Sequence, residues 1–226
     1  MRRVRRNIEL LIPRLEAIEY HFGAGLLDQF DAEERENVRR AVPVFAPPLP
    51  DVEERIAEME AQAGPLPISL RAFFAEVGTV NLVGGFLERV TADVIGPEDS
   101  GLTFDVSSRE LHHGLDPLFV YSIDMTTQMW QDWERRRTSR GQATQPYNLP
   151  IGPDYNDKYG MSGAGVYSIA IPCLAADGPV RIEWHHTTFV NYLRMCLQYG
   201  GLPGLERAAI TPTKLLAFLT EGFLPI

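Results

Sequence analysis

The chain is 226 residues long, enough for one well-buried core, and its composition, 45% hydrophobic and 23% charged, is that of a globular protein. Its formal net charge is −9. General nucleic-acid binding needs cations that displace counterions from phosphate, so this balance argues against it and suits a basic protein partner.

Cys173 and Cys196 stand in no metal-ligand spacing and in apolar surroundings, which suits reduced thiols. Arg2, Arg3, Arg5 and Arg6 resemble the basic start of a signal peptide, but Glu9 and Arg14 interrupt the apolar run that should follow. No stretch approaches the roughly 18 uncharged residues of a membrane span. The expectation is a cytoplasmic protein with no membrane partner.

Val4, Ile8, Leu11, Leu15 and Phe22 recur near helical spacing, so residues 3–21 read as an amphipathic helix, bent or restarted at Pro13. Asp31 to Arg40 is highly charged and reads as an exposed helix or connector. Pro43, Pro47, Pro48 and Pro50 make residues 42–50 extended. They read as the joint between an N-terminal helical extension, 1–45, and a main domain, 46–226. Asp51 then offers an N-cap with Glu54 at the capping-box position, and Val52, Ile56, Met59 and Ala63 line one helix face up to Gly64-Pro65.

Leu66 to Phe86 is the stretch around which the rest is organised. Leu70, Phe73, Phe74 and Val77 share one helical face, Pro67 suits the first turn, and Gly78 closes the helix. Val80 and Leu82 then alternate with Thr79 and Asn81, the period of a half-buried strand, until Gly84-Gly85. Burying those four apolar side chains together stabilises by about 6–12 kcal/mol before entropy is charged against it.

Val90, Ala92 and Val94, then Leu102, Phe104 and Val106, alternate as short strands, and Leu118 to Ile123 is apolar enough for a central strand. Met125 to Arg137 returns to helical spacing through Met129 and Trp133, with Arg135, Arg136 and Arg137 complementing the negative end of the helix dipole. Residues 138–165, rich in Gly, Pro, Asn and Asp, read as a long loop. Val166 to Cys173 and Val180 to Trp184 read as a hairpin about Asp177-Gly178. Thr187 or Thr188 caps a helix that buries Phe189, Leu193, Leu197 and the pair Val190/Cys196, and Gly200-Gly201 ends it. Thr211-Pro212 opens a last helix with Leu215, Leu216 and Leu219 inside, closed by Gly222. Helices at both ends of consecutive short strands indicate an α+β fold, with a mixed or mainly antiparallel sheet flanked by helices.

Motifs that carry chemistry are few. Gly160 to Gly165 (GMSGAG) is the nearest approach to a phosphate loop, but it lacks the Lys-Ser/Thr ending and leads into a strand. Ser162 completes no nucleophile elbow. His112-His113 and His185-His186 are adjacent pairs, and neighbours in a strand point opposite ways. A metal site would need one histidine of each pair to converge with Asp154, Asp157 or Cys173. Asp154 to Tyr159 lacks the Gly and Glu of a calcium loop, since Tyr159 and Gly165 occupy those places. Interleaved acids and aromatics suit the gripping of another protein, which makes Asp154, Tyr155, Asp157 and Tyr159 the candidate partner-binding residues, unless the loop is merely solvated. No catalytic, metal or cofactor-binding residue is assigned, and no cofactor is expected.

The string from Ile56 to Gly78, a short helix followed by G-x-LP-x-SLRxFFxxVG, resembles the core signature of the SUKH superfamily, in Leu66-Pro67, Leu70, Phe73, Phe74, Val77 and Gly78. Asp116-Pro117-Leu118, the strand ending at Pro172 and the helix from Thr188 are similar too, so the resemblance spans residues 50–200. That group includes fungal cell-wall-assembly regulators and bacterial immunity proteins. The resemblance implies a non-catalytic α+β protein that binds another protein, for an immunity protein a toxin such as a basic nuclease. It carries over no functional residue, because the shared motif is a folding motif. Two other readings compete with it. One is a regulatory scaffold or homo-oligomer that meets a second copy through the N-terminal helix. The other is a metalloenzyme using His112, His113, His185, His186 and Asp154.

Overall fold

The N-terminal periodicity folds as α1 (Arg2–Ala17), with Val4, Ile8, Leu11 and Leu15 buried along one face and Pro13 inside the helix. The computed structural model describes residues 1–23, 31, 33, 37, 42–86, 115–142, 146–158, 161–207 and 213–226. The charged segment 31–40, apart from three of its residues, the strands expected within 90–106, and Thr211-Pro212 lie outside the described residues.

The first helix stops short of the expected residue 21. Glu19 takes a positive φ of 57° and the chain turns into β1 (Tyr20–Phe22). Tyr20 explains the exchange. Its ring stands edge-on to Phe22 and Phe86 at 5.3 and 5.2 Å, and its hydroxyl donates to the Leu82 carbonyl at 2.7 Å. β1 pairs antiparallel with β4 (Gly84–Phe86).

The extended proline segment contains β2 (Phe45–Ala46). It is followed by α2 (Val52–Ala63), which buries Val52, Ile56 and Met59. No capping box forms, because the Asp51 carboxylate turns to Arg55 at 2.9 Å. The organising helix is α3 (Ile68–Glu76), with Leu70, Phe73 and Phe74 buried. Gly78 ends it at φ +93°, where a Cβ would lie 2.2 Å from the Ala46 carbonyl oxygen. Only glycine lets the 46–48 backbone pass so close. β3 (Thr79–Asn81) follows, between β2 and β5 (Phe119–Val120), both antiparallel to it.

The strand expected over 118–123 narrows to β5 because Ser122 opens α4 (Ile123–Ser139), its hydroxyl accepting from the Met125 N–H at 3.2 Å. Residues 138–165 are not one loop. They hold the end of α4, β6 (Tyr147–Pro153) and the single turn α5 (Tyr155–Lys158). The Pro and Gly that read as loop have another cause. β6 carries a bulge between Pro150 and Gly152, and a Cβ at Gly152 would sit 2.5 Å from the Phe119 carbonyl oxygen. The close crossing lets the Tyr121 N–H reach Ile151 O at 2.8 Å, which stitches the β5 sheet to the β6 sheet.

β7 (Val166–Ile171) pairs with β6 and not with 180–184, which contributes one bridge, Ser168 to Arg181. The expected hairpin is thus replaced by a non-local pair. Asp177 in the turn has a longer reach than expected. Its carboxylate accepts from the Val190 N–H at 3.1 Å and from the Ser69 hydroxyl at 2.7 Å. It therefore caps α6 (Phe189–Gln198) from outside, where Thr188 makes no side-chain cap. A short 3-10 turn (Pro203–Arg207) and α7 (Thr213–Thr220) complete the order.

The result is an α+β fold in which every described strand pair is antiparallel. α1 packs on α6 and α7, α3 on α2 and α6, and α4 on α2 and β6. One continuous core runs from Val4 to Leu219, and Val4, Ile8, Leu11, Leu15, Ile18 and Tyr20 of the segment read as an extension belong to it. No described helix is long and apolar enough to cross a membrane.

Candidate functional site

The proline segment, the end of α3 and the start of α4 enclose a cleft of about 190 Å³. Pro47, Pro48, Leu49, Val52, Phe74, Phe119, Tyr121 and Met125 line it. Gly78 makes the cleft by letting the proline wall lie against α3. Its volume is below the roughly 300 Å³ at which small-molecule sites begin, and it suits one inserted apolar side chain.

Polar groups in the lining are engaged. The Thr79 hydroxyl donates to Val120 O at 2.8 Å, and Ser122 caps α4. Asp124 at the mouth pairs with Arg55 at 2.6 Å, and Arg55 also holds Asp51. That hydrogen bond with Arg55 holds the Asp51 carboxyl below its usual range. Burial, helped by the nearby Asp157 charge, pushes the Tyr121 phenol up to about 12. Tyr121 thus stays neutral.

The four loop candidates divide. Asp157 is exposed as a residue, but its carboxyl is partly desolvated, and that partial burial first and the Asp154 charge second raise its pKa. Tyr155 is half-buried. Asp154 is 7% exposed, and its carboxylate accepts from the Asp157 N–H at 2.9 Å, capping α5. Tyr159 lies outside the described residues.

Lys158, in the same loop, had no assigned role in the sequence, and it is the most constrained charge here. It is 3% exposed, and its ammonium meets Asp116 Oδ1 at 2.5 Å. The Tyr167 hydroxyl donates to Asp116 Oδ2 at 2.9 Å, and Lys158 Nζ lies 4.9 Å from the Tyr167 ring centroid. Burial first, and the Asp116 charge second, raise the pKa of Tyr167 and of the buried Cys196 thiol. The group is sealed inside the core, so it pins α5 to the sheet and presents nothing to a substrate. No periodicity marks it, since Asp116 lies 42 positions before Lys158.

His185 and His186 do not combine with a metal-ligand set. His185 instead lies between two carboxylates, Nδ1 at 2.6 Å from Glu183 and Nε2 at 2.6 Å from Glu206. A neutral imidazole has one N–H, so two carboxylate acceptors call for the imidazolium. Burial pulls its pKa down, but the two hydrogen bonds and the two charges outweigh it and leave it raised above 6.5. A raised folded-state pKa adds stability that is complete below pH 6.5 and is lost as pH rises through the folded value. The stability difference between wild type and His185→Gln, from urea midpoints, is therefore expected to shrink as pH climbs from 6.5. A difference that stays constant or grows overturns the imidazolium assignment. His112 and His113 lie outside the described residues, and among the described residues no three His, Cys, Asp or Glu side chains are placed to hold a metal ion.

The arginine runs serve the fold. Arg135 pairs with Asp132, Arg137 grips Glu134 with two nitrogens, and Arg136 reaches the Asp132 carbonyl at 3.1 Å. Arg2 pairs with Glu76 and Arg5 with Glu9. The apolar face of α1, which the sequence offers to a second copy, is buried in this chain's own core.

No family model matches the chain, and no curated protein or solved structure matches it.

Proposed function

We propose that this is a non-catalytic, cytoplasmic protein-binding module of the immunity type, which neutralises a basic toxin, such as a nuclease, by capturing it. The observation that carries the reading is the apolar cleft at Leu49, Phe119 and Tyr121, sized for one anchoring side chain, with Asp124 in its lining and Asp51 joined to Asp124 through Arg55. An apolar centre with a charged rim is the anatomy of a protein interface, and the net charge of −9 accelerates encounter with a cationic surface. The resemblance of residues 56–78 to the SUKH signature supports the same reading.

The test is co-expression with the toxins encoded beside the gene, followed by calorimetry on whichever is neutralised. Leu49→Glu places a charge in the cleft wall and is expected to weaken binding by about tenfold or more. Asp157→Lys is expected to slow association and to flatten its salt dependence. Neither is expected to move the melting temperature, because Leu49 and Asp157 are exposed. If no such toxin is bound, or if both variants bind it as wild type does, the proposal fails.

A further inference from the structure

We propose that the turn 181–186, together with Arg207, is a second interaction surface, and that it takes an acidic peptide segment of a partner protein carrying one apolar side chain. The surface is separate in sequence and in sign from the cleft at Leu49 and Tyr121.

Ile182 and Trp184 are 63% and 53% exposed, two large apolar side chains on one short turn. Their outward display is held against backbone preference. Ile182 takes φ +70°, a conformation that a β-branched residue rarely adopts, and His186 takes φ +49°. Such strain persists only where the surroundings over-determine it, and here they do. The Arg181 N–H donates to Ser168 O at 2.8 Å, the Val180 N–H to Thr187 O at 2.8 Å, and the His186 N–H to Glu183 O at 3.2 Å. The Glu183 side chain, 2% exposed, accepts from both the backbone N–H and Nδ1 of His185. The turn is rigid before any partner arrives, which lowers the ordering cost of binding.

Charge selects the partner. The Arg207 guanidinium lies 3.5 Å from the Trp184 ring centroid, covering one face of the indole. Neither Arg207 nor Arg181 makes an ion pair among the described residues, and both are exposed. The nearby carboxylates are occupied, since Glu183 and Glu206 both bind His185. Two exposed guanidiniums without an ion pair among the described residues, Arg207 over the indole and Arg181 preceding Ile182 in the turn, thus stand on a chain whose overall charge is −9. Trp and Arg are the residue types that most often dominate interface energies. Carboxylates on the guanidiniums and an apolar side chain against Ile182 and the open part of Trp184 satisfy the whole set.

The experiment is selection of a displayed library of short random peptides on the full-length chain, followed by affinity measurement on wild type, Trp184→Ala and Arg207→Gln. The expected pool is enriched in Asp and Glu around one aliphatic or aromatic residue. Its affinity is expected to fall by about tenfold with Trp184→Ala and severalfold with Arg207→Gln. Arg207→Lys is expected to recover part of the loss, because it restores charge without the planar stack. Unchanged melting temperatures show that the variants fold. An empty pool, a pool without acidic bias, or binding indifferent to Trp184→Ala overturns the proposal. Basic peptides lost only with Leu49→Glu report on the cleft instead, and a pool made solely of these also counts against this surface. Binding of an RNA oligonucleotide that depends on Trp184 and displaces the acidic peptides would assign the turn to a different partner and overturn the proposal.

Discussion

Replacing Lys158 by Met is expected to destabilise the protein by about 3–5 kcal/mol, because it leaves a buried carboxylate without its cation. Asp116 keeps the Tyr167 hydroxyl but loses the ammonium at 2.5 Å, in a pocket where its side chain is only 9% exposed. The contrast lies in the double variant. Asp116→Asn with Lys158→Met removes both charges, keeps an acceptor for Tyr167, and retains a residue type that tolerates the φ of 44° at position 116. It is expected to recover most of the loss, so that the two single changes are strongly non-additive. Urea denaturation of the three variants decides the matter. A Lys158→Met cost below about 1 kcal/mol would mean that the pair acts like a surface ion pair and not a buried one.

Phe73→Ala is expected to cost a further class of energy, about 3–5 kcal/mol from lost burial plus an unfilled cavity. Phe73 is fully buried, edge-on to Phe189 at 5.5 Å and to Phe74 at 6.5 Å. It thereby joins α3 to α6, and its removal loosens two helices at once. Ile68, on the same helix, is 66% exposed, and Ile68→Ala is expected to stay within about 0.5 kcal/mol of wild type. Chemical denaturation of the two side by side separates burial from helix propensity. Similar small losses for both would show that Phe73 is not central to the core.

That helix was legible because its signal is periodic: Leu70, Phe73, Phe74 and Val77 repeat at helical spacing and a glycine closes them. α1, α2, α6 and the α+β class were legible for the same reason. β6 was not, because Pro150, Gly152 and Pro153 carry loop chemistry, and what makes them strand is a non-local pairing with β7, while the close approach of Phe119 accounts for the glycine. The partner of β7 was misread because a local Asp-Gly turn outweighed a non-local pairing that leaves no mark in composition. The loop around Asp154 stood out by its acids and aromatics, yet the sequence did not distinguish Asp157, which faces water, from Asp154, which caps a turn. Buried charge is harder still. Lys158 with Asp116, and His185 with Glu206, are contacts between distant positions whose residue types are ordinary wherever they occur. The cleft was half visible: its prolines were noticed as an extended joint, but a concavity exists only once α3, β5 and α4 are set around them.

Asn7 donates to the Leu224 carbonyl at 2.9 Å and accepts from the Leu224 N–H at 2.8 Å, while Arg14 on the same helix reaches the Leu219 carbonyl at 3.0 Å. α1 is therefore synthesised more than two hundred positions ahead of the segment that holds it by these bonds. Part of its buried face waits for α6 and α7, which pack on it. Closure of so long a loop is slow, and a nascent chain stalled before α7 leaves part of the face formed by Val4, Ile8, Leu11 and Leu15 open to chaperones and proteases.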